Sequence, residues 1–284
     1  MSFTRKEGQS ILLPENVADL LVQPMIDASV AARVARVTTT TSSTFRIPVV
    51  TADAKAAWVA EGEEIPASSM TISEVLVQPA KLAGRETVSR ELADDSNPAA
   101  LEAVGDSLAR DIARQLDAAF FGSKGTNLSQ PAGLLDLAGI NAVVSTGTGW
   151  TNLDAFVQGK YLAEKASARL TAWVANPDDA VELATIKRAA GSNEPLLGPD
   201  PSEPGRSQIL GLPLHVSPGV PEGIIWGIPR DRAYLVIREG ATVEFDSSVF
   251  FTSDRIAVRA IMRVAWGFPH PAAMIQINKG GLGG

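Results

Sequence analysis

The sequence predicts an α+β fold in which a long two-stranded arm projects from a body of sheets and helices. Residues 58–95 predict the arm, because an aromatic residue, an acidic glycine turn and a small polar tip precede a returning extended segment. One long amphipathic helix follows, and residues 256–268 alternate between apolar and other side chains, which is typical of a strand. An isolated hairpin in water is marginally stable at best, so the arm is expected to lie on another molecule, most simply a second copy of the chain. This favours an assembly protein over an enzyme.

The composition excludes several classes of protein. With 284 residues, 45% hydrophobic and 20% charged, the chain has the make-up of an ordinary folded protein of one large or two smaller domains. It has no apolar run near the ~20 residues that a membrane helix needs, and no secretion signal is recognised. The absence of cysteine excludes disulfides, thiolate catalysis and cysteine-based zinc sites. The net charge of −7 argues against direct binding of nucleic acid, which requires clustered cations.

Residues 1–30 are expected to form an N-terminal arm laid across a neighbour, with a partly ordered terminus as the alternative. Apolar clusters at residues 11–13 and 20–22 need a surface that buries them, and Pro14 can open a short helix. After a polar Thr/Ser run at residues 38–44, residues 45–50 predict a strand that leads into the long arm.

The long arm carries the candidate contacts between copies of the chain. Its turn is acidic and its tip is small and polar, and the carboxylates of the turn are expected to pair with basic residues of a neighbour. The predicted contact residues are Lys55, Trp58, Glu61, Glu63, Glu64, Ser68 and Ser69.

The helix after the arm has clear signals at both ends. Ser96 or Asn97 can cap it, Pro98 suits its first turn, and Gly122 and Gly125 end it. Spacings of three and four predict one buried stripe, made of Leu101, Val104, Leu108, Ile112, Leu116 and Phe120. The other faces are predicted to carry Glu102, Asp106, Arg110, Asp111, Arg114 and Asp117.

Residues 141–228 predict alternating helices and strands. A helix is expected from about residue 152 to beyond 170, followed by a strand over residues 171–175 and a second helix capped by Asn176. The Gly- and Pro-rich loop over residues 191–208 has a length typical of functional or disordered loops.

The C-terminal strands are predicted from alternation. One face of the last long strand holds Ile256, Val258, Ala260, Met262, Val264, Trp266 and Phe268. Arginines occupy the other face, and a hairpin with residues 242–246 would set acids beside them. Residues 279–284 are expected to be disordered.

The sequence predicts no catalytic, metal or cofactor site. His215 and His270 are the only histidines and lie far apart in the chain. The glycine-rich segments 122–125 and 147–149 lack the spacing of phosphate-binding loops. The acidic groups at residues 61–64 and 94–95 fit a solvated loop and the first turn of a helix better than a hydrolase site.

Several short motifs occur in the order found in one known family. They lie at residues 59–62, 68–69, 89–95, 121–122, 131–135, 174–178, 211–214, 241–244 and 268–272. Through them the chain resembles the major capsid proteins of tailed double-stranded DNA bacteriophages, which have the HK97 fold. The resemblance covers all but about the first thirty residues.

The resemblance implies a shell protein forming pentamers and hexamers of an icosahedral head that encloses double-stranded DNA without sequence-specific binding. It implies a virion capsid protein assembled in the host bacterial cytoplasm, with a portal and a separate scaffolding protein as partners and no membrane. The implied parts are an N-terminal arm (1–30), an extended loop (31–88), a peripheral domain with a spine helix (89–140 and 229–284) and an axial domain (141–228). The implied interfaces include the loop at 191–208.

Some members of that family link their subunits through a lysine, an asparagine and a glutamate. The resemblance places Glu74, Asp254 and Ile261 at those three positions. A carboxylate cannot act as the amine nucleophile and Ile261 cannot accept a proton, so no covalent link is expected.

Two functions are alternatives to a phage shell protein. They are an encapsulin-type nanocompartment shell protein and a soluble α+β hydrolase.

Overall fold

The computed structural model describes residues 22–52, 56–64, 66–67, 69–89, 99–147, 149–189, 191–197, 207–250 and 254–281. The α-helices in these ranges are α1 (Gln23–Ala28), α2 (Val30–Val34), α3 (Ala99–Phe121), α4 (Asp154–Lys165) and α5 (Pro177–Thr185). The strands are β1 (Arg36–Thr40), β2 (Phe45–Ala52), β3 (Thr71–Val77), β4 (Ala80–Ser89), β5 (Asn141–Val144), β6 (Ala172–Ala175), β7 (Gln208–Ile209), β8 (Leu212–Val216), β9 (Ile224–Ile228), β10 (Tyr234–Phe250), β11 (Arg255–Gly267) and β12 (Ile275–Asn278). Short 3₁₀ turns lie at Leu134–Asp136, Arg230–Arg232 and Pro271–Ala273.

The described strands form three sheets. The first has four strands in the order β1-β10-β11-β4, and only β1 runs parallel to its neighbour. The second has six strands in the order β5-β12-β9-β6-β8-β7. The third is the two-stranded antiparallel pair β2-β3, which forms the described strands of the arm. The arm predicted over residues 58–95 is shorter than expected, because residues 80–89 form β4 and pair with β11 in the first sheet. The mixed α+β class predicted from the sequence is confirmed.

The long helix α3 packs its predicted stripe into the core. Leu108, Ile112, Leu116 and Phe120 are all buried. The Cδ2 atom of Leu108 lies so close to β4 that a Cβ atom on Gly84 would come within 3.2 Å of it. The helix therefore rests directly on the first sheet. Residues 96–98, which were predicted to cap it, lie outside the described residues.

The core has two large parts on either side of the six-stranded sheet. One fills the space between α3, the first sheet and one face of the second sheet, and its members include Val174, Trp226 and Ile228. The other covers the opposite face, where Phe156 of α4 packs edge-on against Trp173 with ring centroids 5.2 Å apart. The second sheet is therefore covered on both faces.

The predicted C-terminal hairpin is confirmed, and it sets an acid of the first strand beside an arginine of the second. Glu244 of β10 lies opposite Arg259 of β11, and the two side chains form an ion pair on the exposed face. At the other end of β11, Trp266 joins Phe268 around the ring of Phe120, with centroid distances of 5.6 and 5.3 Å.

Three further sequence predictions about particular segments are wrong. Helix α4 ends at Lys165, because Ser167 adopts φ 54 and the amides of Ser167 and Ala168 turn back to the carbonyls of Glu164 and Ala163. Residues 36–40, for which the sequence predicts no element, form strand β1 through their pairing with β10.

The other two concern the acidic face of α3 and the C-terminus. Asp117, predicted on a charged face, is buried with 5% of its surface exposed. Lys279, predicted in a disordered tail, donates its amide to Gly223 at 2.8 Å and its ammonium to Glu182 at 2.6 Å. Strand β12 just before it joins the six-stranded sheet.

Replacing Leu108 by aspartate should destabilise the subunit by about 3–5 kcal/mol or prevent folding, because a carboxylate would be buried without a partner. Arg110→Ala, two residues away on the exposed side of α3, should change the free energy of unfolding by about 0.5 kcal/mol or less. Urea unfolding of the two variants checks this. A soluble, fully stable Leu108→Asp variant would contradict the packing of the helix.

Candidate subunit-contact surface and buried carboxylates

The base of the arm is fixed to the first sheet. Ile47 of β2 and Val77 of β3 are buried and pack against Val236 and Ala265. They lie directly over Gly267, where a Cβ atom would come within 2.6 Å of Val77 and 2.8 Å of Ile47. A glycine is required there because the arm approaches the backbone of β11 too closely for any side chain.

Beyond the base of the arm, several large apolar side chains among its described residues are exposed. The ring of Trp58 is fully exposed, at 106% of its reference area. Met70, Ile72 and Leu76 are also large apolar side chains that are about half exposed along β3 and its approach. Such a group of exposed apolar side chains on one segment is typical of an interaction surface.

The acidic turn of the arm is formed as predicted. The amide of Glu63 donates to the carbonyl of Ala60 at 3.1 Å, and Gly62 supplies the left-handed conformation with φ 90. Glu61, Glu63 and Glu64 are exposed, and so is Ser69 near the tip. The predicted contacts Lys55 and Ser68 lie outside the described residues.

The three positions of the family linkage lie on different elements. Glu74 is on β3, where its carboxylate pairs with Arg46 at 2.7 Å. Asp254 adopts φ 50 immediately before β11. Ile261 is a half-buried residue within β11. The arrangement contains no amine at the first position and no acid at the third.

A buried carboxylate that was not predicted from the sequence connects three parts of the body. Asp117 of α3 accepts hydrogen bonds from the hydroxyl of Ser29 at 2.6 Å and from the amides of Val30 and Ala31 at 3.0 Å. It also accepts one from the hydroxyl of Ser217, which follows β8, at 2.9 Å. The N-terminal helices, the long helix and the second sheet therefore meet at one side chain, here called the Asp117 junction.

A four-residue repeat in the sequence indicates that Asp117 is buried. Ala109, Ala113, Asp117 and Phe121 recur every four residues and form a second buried row beside the predicted stripe. The small alanines allow α1 and α2 to approach α3. On the other side, a Cβ atom on Gly219 would come within 2.7 Å of the backbone nitrogen of Ala118. The close packing removes water from Asp117, so its hydrogen bonds must come from the protein.

A second buried carboxylate holds the second sheet region together. Asp179, in the first turn of α5, accepts from the indole nitrogen of Trp150 at 2.7 Å and from the amide of Gly223 at 2.8 Å. Asn176 caps the same helix as predicted, by accepting from the amide of Asp178 at 3.0 Å.

The glycine-rich turn after α3 is closed by a carboxylate. Asp136 accepts hydrogen bonds from the hydroxyl of Ser123, from the amide of Lys124 at 2.8 Å and from the amide of Gly133 at 3.1 Å. The hydrogen bond from Ser123 is the main reason that the pKa of Asp136 lies below its ordinary value. The donors that would face a phosphate are thus occupied by the chain itself.

The two histidines lie on separate elements. His215 is in β8, and His270 precedes the 3₁₀ turn at Pro271–Ala273. Partial burial, and then the charge of Arg232, lower the pKa of His270. In the described ranges there is no group of three or more potential metal ligands. No helix within them is long and apolar enough to cross a bilayer.

A known protein family matches most of this chain. The model of the phage capsid family matches residues 9–278, which is most of the chain. The chain belongs to the phage capsid family. It is therefore a major capsid shell protein that self-assembles and is located in the virion capsid, and the encapsulin alternative is not favoured.

Solved structures share the fold of this capsid protein. The capsid of the empty GTA particle superposes with a TM-score of 0.72 at 21% identity, over 89% of this chain and 90% of that chain. A structure from Microbacterium phage Oxtober96 gives 0.70 at 20% identity, over 88% and 90%. One from Mycobacterium phage Bobi gives 0.68 at 19% identity, over 88% and 90%. No curated protein matches the capsid protein.

Removal of the Asp117 carboxylate should destabilise the capsid subunit. Asp117→Ala leaves buried donors without an acceptor, and each such group costs about 1–3 kcal/mol, so we expect a loss of roughly 2–4 kcal/mol. Asp106→Ala, an exposed site on the same helix, is the control and should change stability by about 0.5 kcal/mol or less. Urea unfolding measures both. Equal stabilities of the two variants would contradict the role of the junction.

Asp136 should make a pH-dependent contribution to stability. Its pKa is lowered in the folded state, so its stabilisation is fully present above the ordinary value of 3.8 and is lost as the pH falls through the lowered pKa. Asp136→Asn should therefore be less stable than the unaltered chain near neutral pH, and the difference should shrink below pH 3.8. Urea midpoints across this range test it, with the exposed Asp111→Asn as control. A difference independent of pH would contradict the assignment.

Proposed function

We propose that this chain forms the pentamers and hexamers of an icosahedral phage head that encloses double-stranded DNA. The observation that carries the proposal is the arm, which is anchored at its base by Ile47 and Val77 and exposes Trp58 and its apolar flank. A surface of this kind is buried only when a neighbouring copy covers it. Repetition of one such head-to-tail contact closes into rings and then into a shell.

The parts of the chain take the roles of the HK97 fold in this proposal. Strands β2 and β3 with the segment between them are the extended loop, and α3 is the spine helix. The four-stranded sheet forms the peripheral domain, and the six-stranded sheet with α4 and α5 forms the axial domain. Residues 1–30 are the N-terminal arm, and the loop within residues 191–208 is an interface near a symmetry axis.

DNA is held inside the shell by confinement in this proposal. The net charge of −7 supports this, because strong phosphate binding requires an excess of clustered cations. A portal and a separate scaffolding protein are the further partners, and assembly takes place in the cytoplasm of the host bacterium. The role is structural, with no catalytic step.

The purified protein should form large closed particles. The exposed arm has no place on its own subunit, and stable obligate interfaces bury about 2,000 Å² or more. Gel filtration coupled to light scattering, with electron microscopy of the leading fraction, measures this. Only monomers or dimers, both with and without the scaffolding protein, would contradict the proposal.

The mature shell should contain no covalent links between subunits. Glu74 has no amine and Ile261 has no acid, so the linkage chemistry of the family has neither nucleophile nor proton acceptor at these positions. Particles boiled in detergent should run as one band near 29.9 kDa. A ladder of multimers would contradict this, and Lys55→Arg and Lys81→Arg variants would then identify the reacting lysine.

A further inference from the structure

The first sheet carries three cations in a single row. Arg263 of β11 lies directly opposite Arg238 of β10 on one side and Lys81 of β4 on the other. Residues that face each other across neighbouring strands share one face of the sheet, with their Cβ atoms about 4.5–5.5 Å apart. Lys81 and Arg263 are exposed and Arg238 is half-buried. We call Arg238, Arg263 and Lys81 the cationic row.

The described side chains around the row do not form ion pairs with it. Beyond the uncharged pair Ala83 and Ile261, the next charged pair on β4 and β11 is Arg85 opposite Arg259, and the carboxylate of Glu244 pairs with Arg259. Among the described residues, no carboxylate forms an ion pair with the three members of the row or with Arg85. Like charges directly opposite each other destabilise a sheet. An isolated subunit therefore carries a repulsion that an anionic partner would relieve.

The row borders the place where the arm of the same chain is anchored. Val236 and Ala265 lie under the base of the arm, and each precedes or follows a member of the row by two residues on the same strand. The arm covers these apolar residues but leaves the row open. The open surface is thus continuous with an apolar contact that the chain already makes.

The acidic turn of the arm has the complementary charge. Glu61, Glu63 and Glu64 are exposed and have no ion-pair partner among the described residues. Three carboxylates within four residues match three cations within one row across three strands. We propose that the acidic turn of one copy binds the cationic row of a neighbouring copy. This proposal rests on the proposed function, because it requires contact between subunits of a shell.

A nucleic-acid phosphate chain is a less suitable occupant of the row. Glu244 and Asp246 lie on the same face of the sheet, and their charges repel an extended polyanion. A short turn with three carboxylates can contact the row without crossing them. Complementary charges of this kind fix which surfaces meet and in which register.

Charge reversal with rescue tests the pairing. Lys81→Glu combined with Arg263→Glu should leave the subunit folded and at least as stable, because the contact between positions 238 and 263 becomes attractive while positions 263 and 81 still carry like charges, as they did before. The same variant should raise the protein concentration needed for particle formation about tenfold or more, since it sets like charges against the acidic turn. Adding Glu61→Lys, Glu63→Lys and Glu64→Lys should restore assembly. Adding Glu74→Lys, one charge reversal of the same kind elsewhere on the arm, should restore less than Glu63→Lys alone.

Disulfide trapping supplies an independent test, because the chain has no cysteine of its own. Chains carrying Glu63→Cys and chains carrying Lys81→Cys are assembled together and oxidised. A disulfide dimer should appear in the mixture on a non-reducing gel and be absent from particles of either variant alone. Glu74→Cys in place of Glu63→Cys should give no dimer.

The outcomes separate this proposal from the proposed function. Normal assembly of the row-reversed variant, failure of the three lysines to rescue it, or particles without the disulfide would each overturn the pairing while the shell function stands. A defect confined to DNA-filled particles would assign the row to phosphate and also overturn it. If the unaltered chain forms no particles, the proposed function and this inference fail together.

Discussion

The geometry of the subunit body depends on one carboxylate buried at the meeting point of three elements. Asp117 receives its four hydrogen bonds from neutral donors, so its charge is balanced by dipoles whose positions must be kept. A buried charge that lost these donors would be strongly unfavourable. Displacing the N-terminal helices or the loop after β8 would break them. The junction therefore fixes the first and second sheets relative to each other.

The arm differs from the body in how it is stabilised. Its only described apolar anchoring is at its base, over Gly267, and the ion pair between Arg46 and Glu74 along it is exposed. An exposed ion pair contributes only about 0–1 kcal/mol. In the proposed shell the arm would obtain most of its stability from a neighbour, whereas the body is stable through its own core. This division would let a stable body present a separate contact segment.

Local patterns in the sequence predicted the stripe of α3 and the cap at Asn176, because neighbours within a few residues determine both. The turn of the arm and the hairpin that sets Glu244 beside Arg259 were also predicted, because each joins segments that are close in sequence. The features that were missed depend on distant partners. Strand β1 has a polar sequence and is a strand only through β10, and β12 joins a sheet built mainly from the middle of the chain. The burial of Asp117 required knowing that α1 and α2 cover a row of small residues. The cationic row required a register across three strands.

The pairing of first strands with last strands sets the order in which the subunit can be made. Strand β1 needs β10, which begins at Tyr234, and β5 needs β12, which ends at Asn278. The first sheet cannot be completed before β11 is synthesised, nor the second before β12, and pairings so distant in sequence form slowly. A nascent chain that has not reached these strands therefore lacks the two finished sheets on which the contacts of the proposed shell depend.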